Sequence, residues 1–314
     1  MIYYTMYNYK YAKECKMDFT VTEEFNGKRL KDFLLGSLFL SHAILTDLKK
    51  KDGIRLSGES VTVRHPVKTG DVVTLDIEDT AADCDEFLYP DDIPLDIIFE
   101  DEHIIAVNKP PYMPTHLSRG HRSGTLANAL KAEFDKRGRL FVFRAVNRLD
   151  ADTSGIVIIA KNRYAADRFA KTKTDYEKRY IALCLGKFEK ECGEIKSYIH
   201  RVGESIIRRA VFESGKESDF AHTRYSVKEY INGISVVECE PVTGRTHQLR
   251  VHLSHIGHAI VGDDFYGGGF LLKRQALHAK SLSFIHPFTK EKISLEAPLP
   301  ADMADFLERI KNEV

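Results

Sequence analysis

Apolar positions along the chain follow two rhythms, one helical and one alternating, and the switch between them outlines the elements. Leu30, Phe33 and Leu34 recur at helical spacing. Ile44, Leu45 and Leu48 do the same in a second helix, for which Ser41 is a good N-cap. A strand is expected over residues 19–21, an alternating strand over 72–77, and the short run Ile54-Arg55-Leu56 lies between them. Further on, residues 95–99 and 104–107 predict a hairpin around Asp101-Glu102, and 126–134 and 163–171 predict helices. The continuous apolar run 156–160 predicts a core strand, and 234–239 alternates. Strands and helices do not alternate regularly and no internal repeat is visible. The expected class is therefore α+β, built on a mixed, largely antiparallel sheet, rather than a doubly wound fold.

Between these two groups, Asp79-Thr80-Ala81-Ala82-Asp83-Cys84-Asp85-Glu86 has no periodicity and few apolar residues, as a linker should. The expected organisation is a disordered extension over residues 1–16, a small unit over 17–79, an acidic linker over 80–92 and a main domain over 93–314. A chain of 314 residues with 43% hydrophobic residues can build two cores. No apolar run approaches the roughly 18 residues of a membrane span, so no membrane partner is expected. The Tyr- and Lys-rich start lacks the features of a signal peptide. Cys15, Cys84, Cys184, Cys192 and Cys239 are scattered, with no Cys-x-x-Cys pair. Reduced thiols and a cytoplasmic location fit that pattern, with Cys184 and Cys239 as buried, inert thiols.

The formal net charge is zero, but charge is segregated. From Asp71 to Glu102 there are thirteen carboxylates and no Lys or Arg, whereas from Lys131 to Tyr180 thirteen Lys or Arg face seven Asp or Glu. A basic cleft beside an acidic linker suits a polyanionic partner, and two solvated faces would show the same pattern.

The stretch hardest to explain by packing is Arg148-Leu149-Asp150-Ala151-Asp152-Thr153-Ser154-Gly155, followed by the core strand. Small residues suit a tight turn, and a carboxylate at the mouth of a buried strand is held rigidly. Taken alone, an Asp capping backbone amides would explain the same string. Four further motifs follow a consistent order around it. They are Asn108-Lys109-Pro110-Pro111 after an apolar strand, Lys178-Arg179-Tyr180-Ile181-Ala182, Thr243-Gly244-Arg245-Thr246-His247-Gln248-Leu249-Arg250, and Gly262-Asp263-Asp264-Phe265-Tyr266-Gly267 with Leu277-His278-Ala279 and His286-Pro287.

Together these motifs resemble those of the RluA-type pseudouridine synthases, whose signature usually carries a His where Asn147 stands here. The resemblance covers residues from about 104 to 287 and implies a cofactor-independent isomerase, with no metal, acting on ribosomal or transfer RNA. It implies Asp150 as the catalytic carboxylate, Arg250 as the cation that keeps it ionised, and Tyr180 as the active-site tyrosine. Arg148 matches the residue that inserts as the target base leaves the stack, and Lys109, His116, Arg245 and His247 are further candidates for RNA contact. Residues 17–79 resemble the small alpha-L RNA-binding domain that many of these synthases carry, with Lys49, Lys50 and Arg55 placed to grip phosphates. No obligate protein partner is evident.

Breaking a glycosidic bond, turning the base and rejoining it through carbon requires a carboxylate able to attack the sugar or remove a sugar proton. A glycosidase using Asp150 and Asp152 is a second reading, and a non-catalytic RNA-binding or ribosome-assembly factor on the same scaffold is a third. His252 and His255 could share a helix face, but neither a nearby Cys nor a His-Glu-x-x-His string supports a metal site. Gly267-Gly268-Gly269 lacks the ending of a phosphate loop.

Overall fold

A computed structural model describes residues 16–77, 79–171, 176–203 and 208–313. The extension expected over residues 1–16 lies outside them except for Lys16, which opens the first strand. The first unit contains β1 (Lys16–Thr20), α1 (Leu30–Gly36), α2 (His42–Lys50), β2 (Ile54–Leu56), β3 (Glu59–Ser60) and β4 (Val72–Asp76). Its strands form an antiparallel sheet in the order β1-β4-β2-β3. The Ser41 hydroxyl accepts the Ile44 amide at 3.3 Å, so α2 starts where a free N–H needed a partner. The apolar stripes of α1 and α2 then face the sheet and bury Leu30, Phe33, Leu34, Ile44, Leu45 and Leu48 against Ile54, Val73 and Leu75. Each such side chain contributes about 1.5–3 kcal/mol.

The second unit runs through β5 (Ile97–Glu100), β6 (Ile104–Lys109), α3 (Leu126–Lys136), β7 (Ser154–Ala160), α4 (Arg163–Lys171), β8 (Glu177–Leu185), β9 (Cys192–Arg201) and β10 (Arg209–Phe212). It continues through β11 (Phe220–Ile231), β12 (Ile234–Pro241), α5 (Gln248–His255), β13 (Leu277–Ile285), β14 (Lys292–Glu296) and α6 (Ala301–Asn312). The described strands form one mixed sheet in the order β10-β9-β11-β12-β8-β13-β7-β6-β5, with β14 on β13. The pairing of β13 with β7 is parallel and, among the described residues, the other strand pairings of this sheet are antiparallel. The α+β class follows directly. Along one edge β13 pairs first with β7, through His278 and Ala279, and then with β14, from Ser281 onward.

Helices cover both faces of this sheet. Leu126, Leu130 and Phe134 of α3 pack with Val107 and Val157, while Phe169 of α4 packs with Ile156, Ile158 and Phe284. Met303, Phe306 and Ile310 of α6 cover Leu183 and Val237. Cys184 and Cys239 are buried here, and burial pushes both thiols up, Cys239 to about 12. Among the described residues, no helix is long and apolar enough to cross a membrane.

The small unit docks on α4. The Tyr164 hydroxyl donates to the Leu38 carbonyl at 2.9 Å, Arg168 donates to the same carbonyl, and Lys171 donates to that of Phe39. Arg163 pairs with Asp47 on α2, and the Tyr164 ring meets Phe19 edge to face. Residues 79–92 run along the large unit, with Asp79 in a two-bond pair with Arg144 and Leu88 in the core beside Phe134.

Candidate active site

Asp150 lies on the loop that enters β7, and the backbone of that loop is held from several sides. The Thr115 hydroxyl donates to the Leu149 carbonyl at 2.8 Å, and the Thr153 amide closes a turn on the Asp150 carbonyl at 3.1 Å. The Ala151 carbonyl accepts from the Met113 amide and from Lys109, and the Asp152 carbonyl accepts from Arg274 at 3.0 Å. Four consecutive carbonyls therefore have fixed donors, which sets the position of the Asp150 side chain. Upstream, residues 144–147 run beside β7, with the Val146 amide on the Ile158 carbonyl and Ala160 on Arg144. Asn147 extends that ladder with its side chain, donating to the Ile156 carbonyl at 2.9 Å and accepting the Ile158 amide at 2.8 Å. Its amide takes the place of another peptide unit, so Asn147, at the position where the resembling signature carries His, keeps the loop tied to the strand.

Gly155 explains the end of the motif. Its φ is +111°, and a Cβ there would meet the Ala279 carbonyl oxygen at 2.3 Å. Only glycine lets β7 enter this close beside β13.

Opposite Asp150 stands the start of α5. The Gln248 side chain accepts the Arg245 amide at 2.9 Å and the Thr243 hydroxyl at 2.8 Å, and donates to the His222 carbonyl and Thr223 hydroxyl. All four bonds of that amide are used to fix the turn, and His247 takes the left-handed conformation (φ 57°) as α5 begins. Arg250, three residues on, then reaches the loop. Its Nη1 donates to Asp150 Oδ2 at 3.0 Å, while Nε and Nη2 grip Asp263 at 2.7 and 2.9 Å. Asp263 is fully buried, whereas the Asp150 side chain keeps 31% of its exposure. Burial works against the Arg250 charge, but Asp263 and then Asp150 outweigh it and hold the guanidinium above its ordinary value. Phe265 and Tyr266 lie over the guanidinium, with ring centres 5.7 and 5.1 Å away.

His247 Nε2 is 3.7 Å from Asp150 Oδ2, and burial pulls the imidazole pKa down against the opposing Asp150 charge. Tyr180, on β8, is half-buried, and burial followed by the Asp150 carboxylate pushes its phenol up, so it stays protonated at neutral pH. Asp150, Arg250, Tyr180 and His247 thus share one site. Arg148 is exposed, and His116, also exposed, is lowered by partial burial and then by the Arg148 charge. Arg245 is half-buried, with Nε on the Phe220 carbonyl at 2.9 Å. Lys49, Lys50 and Arg55 are exposed on the small unit.

Lys109 is a correction to the expected RNA contact. It is fully buried, and its ammonium donates to the carbonyls of Pro110, Met113 and Ala151 at 2.8, 2.8 and 3.0 Å. All three of its donors are spent inside the protein, so it braces the loop that carries Asp150. Burial brings it down to about 7, with the Asp152 charge opposing. His252 is likewise occupied, its two ring nitrogens meeting the hydroxyls of Thr223 and Ser197, both at 2.9 Å, which leaves no nitrogen for a metal. Sequence reasoning assigned no role to Asp263, Tyr266 or Arg274. For Asp263 and Tyr266 the available signal was their place in a recognised motif close to an arginine that would need a buried counter-ion.

Residues 103–255 match the RNA pseudouridylate synthase family. The uncharacterized RNA pseudouridine synthase YjbO of Bacillus subtilis is 38% identical over 276 residues, covering 87% of this chain and 96% of that protein. Ribosomal large subunit pseudouridine synthase D of Xylella fastidiosa is 34% identical, covering 94% of this chain and 92% of that protein. Among solved structures, human RNA pseudouridylate synthase domain containing 1 superposes with a TM-score of 0.53 at 26% identity, covering 70% of this chain and 95% of that one. Human RNA pseudouridylate synthase domain containing 4 shares the fold, with a TM-score of 0.57 at 22% identity, covering 69% of this chain and 93% of that one. With a family model matched over residues 103–255 and relatives matched along almost its whole length, the chain belongs to the RNA pseudouridine synthases, a family of isomerases.

Proposed function

We propose that this protein converts specific uridines of ribosomal RNA to pseudouridine, with Asp150 as the reacting carboxylate. The observation that carries the reading is a carboxylate tied to a buried cation through Oδ2 yet still open to solvent. Asp150 either attacks the anomeric carbon or removes a sugar proton as the bond to N1 breaks, and the base then turns and bonds through C5. The C5 proton leaves and N1 gains one, so no oxidant is needed. Tyr180 offers its ring face to the base and a neutral phenol near C5. Arg148, exposed two residues before Asp150, fills the gap left by the flipped base and offsets unstacking of a few kcal/mol. His116 and Arg245 contact the flanking RNA.

In the same reading, residues 17–79 form an RNA-gripping unit of the alpha-L type, with Lys49, Lys50 and Arg55 toward phosphate, and residues 93–314 carry the chemistry beyond the linker at 80–92. The Xylella relative's name supports ribosomal over transfer RNA. An RNA substrate and free thiols at Cys84, Cys184, Cys192 and Cys239 support a cytoplasmic location.

The test is incubation with total RNA followed by site-resolved pseudouridine mapping, for the natural protein and for Asp150→Asn. New pseudouridine in ribosomal RNA, lost with Asp150→Asn while RNA binding persists, is the expected result. New sites confined to transfer RNA would replace the substrate, and binding without conversion would make the protein a non-catalytic factor. Release of free uracil would make it a hydrolase.

A further inference from the structure

The two oxygens of Asp150 have different surroundings. Arg250 Nη1 bonds Oδ2, and His247 Nε2 approaches the same oxygen at 3.7 Å. Among the described residues, Oδ1 has no bond to a side chain or backbone group. Which proton state His247 presents to Oδ2 follows from its other nitrogen.

His247 Nδ1 lies 2.8 Å from the Tyr266 hydroxyl, and that hydroxyl oxygen already accepts the Arg209 amide at 3.1 Å. Tyr266 is buried, and its phenolic proton has no other acceptor among the described residues. The proton therefore goes to Nδ1, because a second accepted bond would leave a buried O–H unpaired. With Nδ1 an acceptor, the hydrogen of the neutral ring sits on Nε2, facing Asp150. The opposite tautomer would set a bare nitrogen lone pair against a carboxylate oxygen. Both considerations select the same ring state. Burial, opposed by Asp150 and assisted by Arg250, keeps the ring neutral at pH 7; Asp263 and Arg209 are the remaining charged neighbours.

We propose that His247 is a positioning residue, not an RNA contact: through Tyr266 and the Arg209 amide it presents a fixed Nε2–H that turns Oδ2 of Asp150 toward the protein and leaves Oδ1 for the uridine. The imidazole side chain is only 11% exposed, which suits this role better than reaching for a phosphate. Shortened to a hydrogen bond, the 3.7 Å contact would take from the carboxylate the freedom to rotate about its own axis. Tyr266 has two tasks, setting the tautomer and covering Arg250.

This deepens the assignment of Asp150 and rests on it, so the experiment carries Asp150→Asn as a control. Single-turnover conversion and RNA Kd are measured for His247→Phe, His247→Gln and Tyr266→Phe, and imidazole ¹⁵N shifts are recorded for the natural protein and Tyr266→Phe. His247→Phe is expected to slow conversion at saturating RNA about tenfold or more with Kd within about twofold, a 1.4 kcal/mol effect per factor of ten. His247→Gln, whose amide can donate from a similar position, recovers most of the rate. The ¹⁵N shifts report a protonated Nε2 and an unprotonated Nδ1 in the natural protein, and a mixture in Tyr266→Phe. A weakened Kd with an unchanged rate in His247→Phe overturns the proposal in favour of RNA contact. Equal slowing in the Phe and Gln variants with lower melting temperatures overturns it in favour of a merely structural role. Unaltered conversion in His247→Phe alongside an inactive Asp150→Asn removes His247 alone, whereas an active Asp150→Asn removes the reading beneath it.

Discussion

One guanidinium holds two carboxylates in different settings, so replacing each separately should divide catalysis from stability. Asp263→Asn keeps the side-chain shape but takes a charge from the buried side of Arg250, where the two bonds are 2.7 and 2.9 Å and the carboxylate has no exposure. Removing one partner from a buried pair costs about 3–5 kcal/mol, because the remaining charge stays out of water. Asp150→Asn removes a single bond of 3.0 Å to a carboxylate with 31% exposure, while Asp263 still satisfies the cation. With the carboxylate partly solvated and Asp263 keeping the cation paired, the loss stays near the net value of one hydrogen bond, about 1 kcal/mol. Urea unfolding should thus place Asp150→Asn within about 1 kcal/mol of the natural protein and Asp263→Asn several kcal/mol below it. Conversion, followed as tritium released from RNA labelled at C5 of uridine, should vanish in Asp150→Asn and fall about a hundredfold in Asp263→Asn, as Arg250 loses its hold on the loop. Equal stability losses in the two variants, or an Asp263→Asn protein as stable as its parent, would refute this division of labour.

Three further outcomes follow from individual contacts. Gly155→Ala forces a Cβ to within 2.3 Å of the Ala279 carbonyl at a φ of +111°, and should cost about 3 kcal/mol or more, seen as a melting point many degrees lower or as insoluble protein. Lys109→Met leaves the carbonyls of Pro110, Met113 and Ala151 without their shared donor while relieving a buried charge. A net loss of about 2–4 kcal/mol is expected, with kcat falling more than KM rises, and an unchanged kcat would remove Lys109 as the brace of the loop. His252 is brought down from 6.5 to about 4, first by burial and then by His255 and His222. Between those values the unfolded chain binds the extra proton, so stability falls as pH drops from 6.5 to 4, by about 3 kcal/mol in all. Urea unfolding across that range should show the loss, and His252→Gln should flatten it.

Much of this was legible in the chain because the features are local. Helical spacing located α1, α2 and α4, the Ser41 hydroxyl marked the start of α2, and the motif around Asp150 identified the loop before its partners were known. Strands β9 and β11 were not foreseen, since their exposed face carries Glu194, Lys196 and Arg224 and blurs the alternation expected of a half-buried strand. Lys109 misled for a physical reason. A lysine in a sequence reads as a cation meant for solvent, and only the three carbonyls converging on its ammonium reveal the buried role. Asp263 stayed silent because its task is defined by Arg250, thirteen residues earlier, and by a burial that no spacing announces. The linker shows the same limit, since Leu88 and Asp79 anchor a segment whose composition reads as free.

The joint between the small unit and α4 has a consequence for how this protein can diversify. Tyr164, Arg168 and Lys171 seize the carbonyls of Leu38 and Phe39, atoms that every amino acid except for its side chain supplies alike. Such a latch reads the path of the chain and is largely indifferent to its spelling. Mutations that remodel the outer faces of the small unit therefore leave these carbonyl contacts in place, whereas those at Asp47 or Phe19, whose side chains meet Arg163 and Tyr164, do touch the joint.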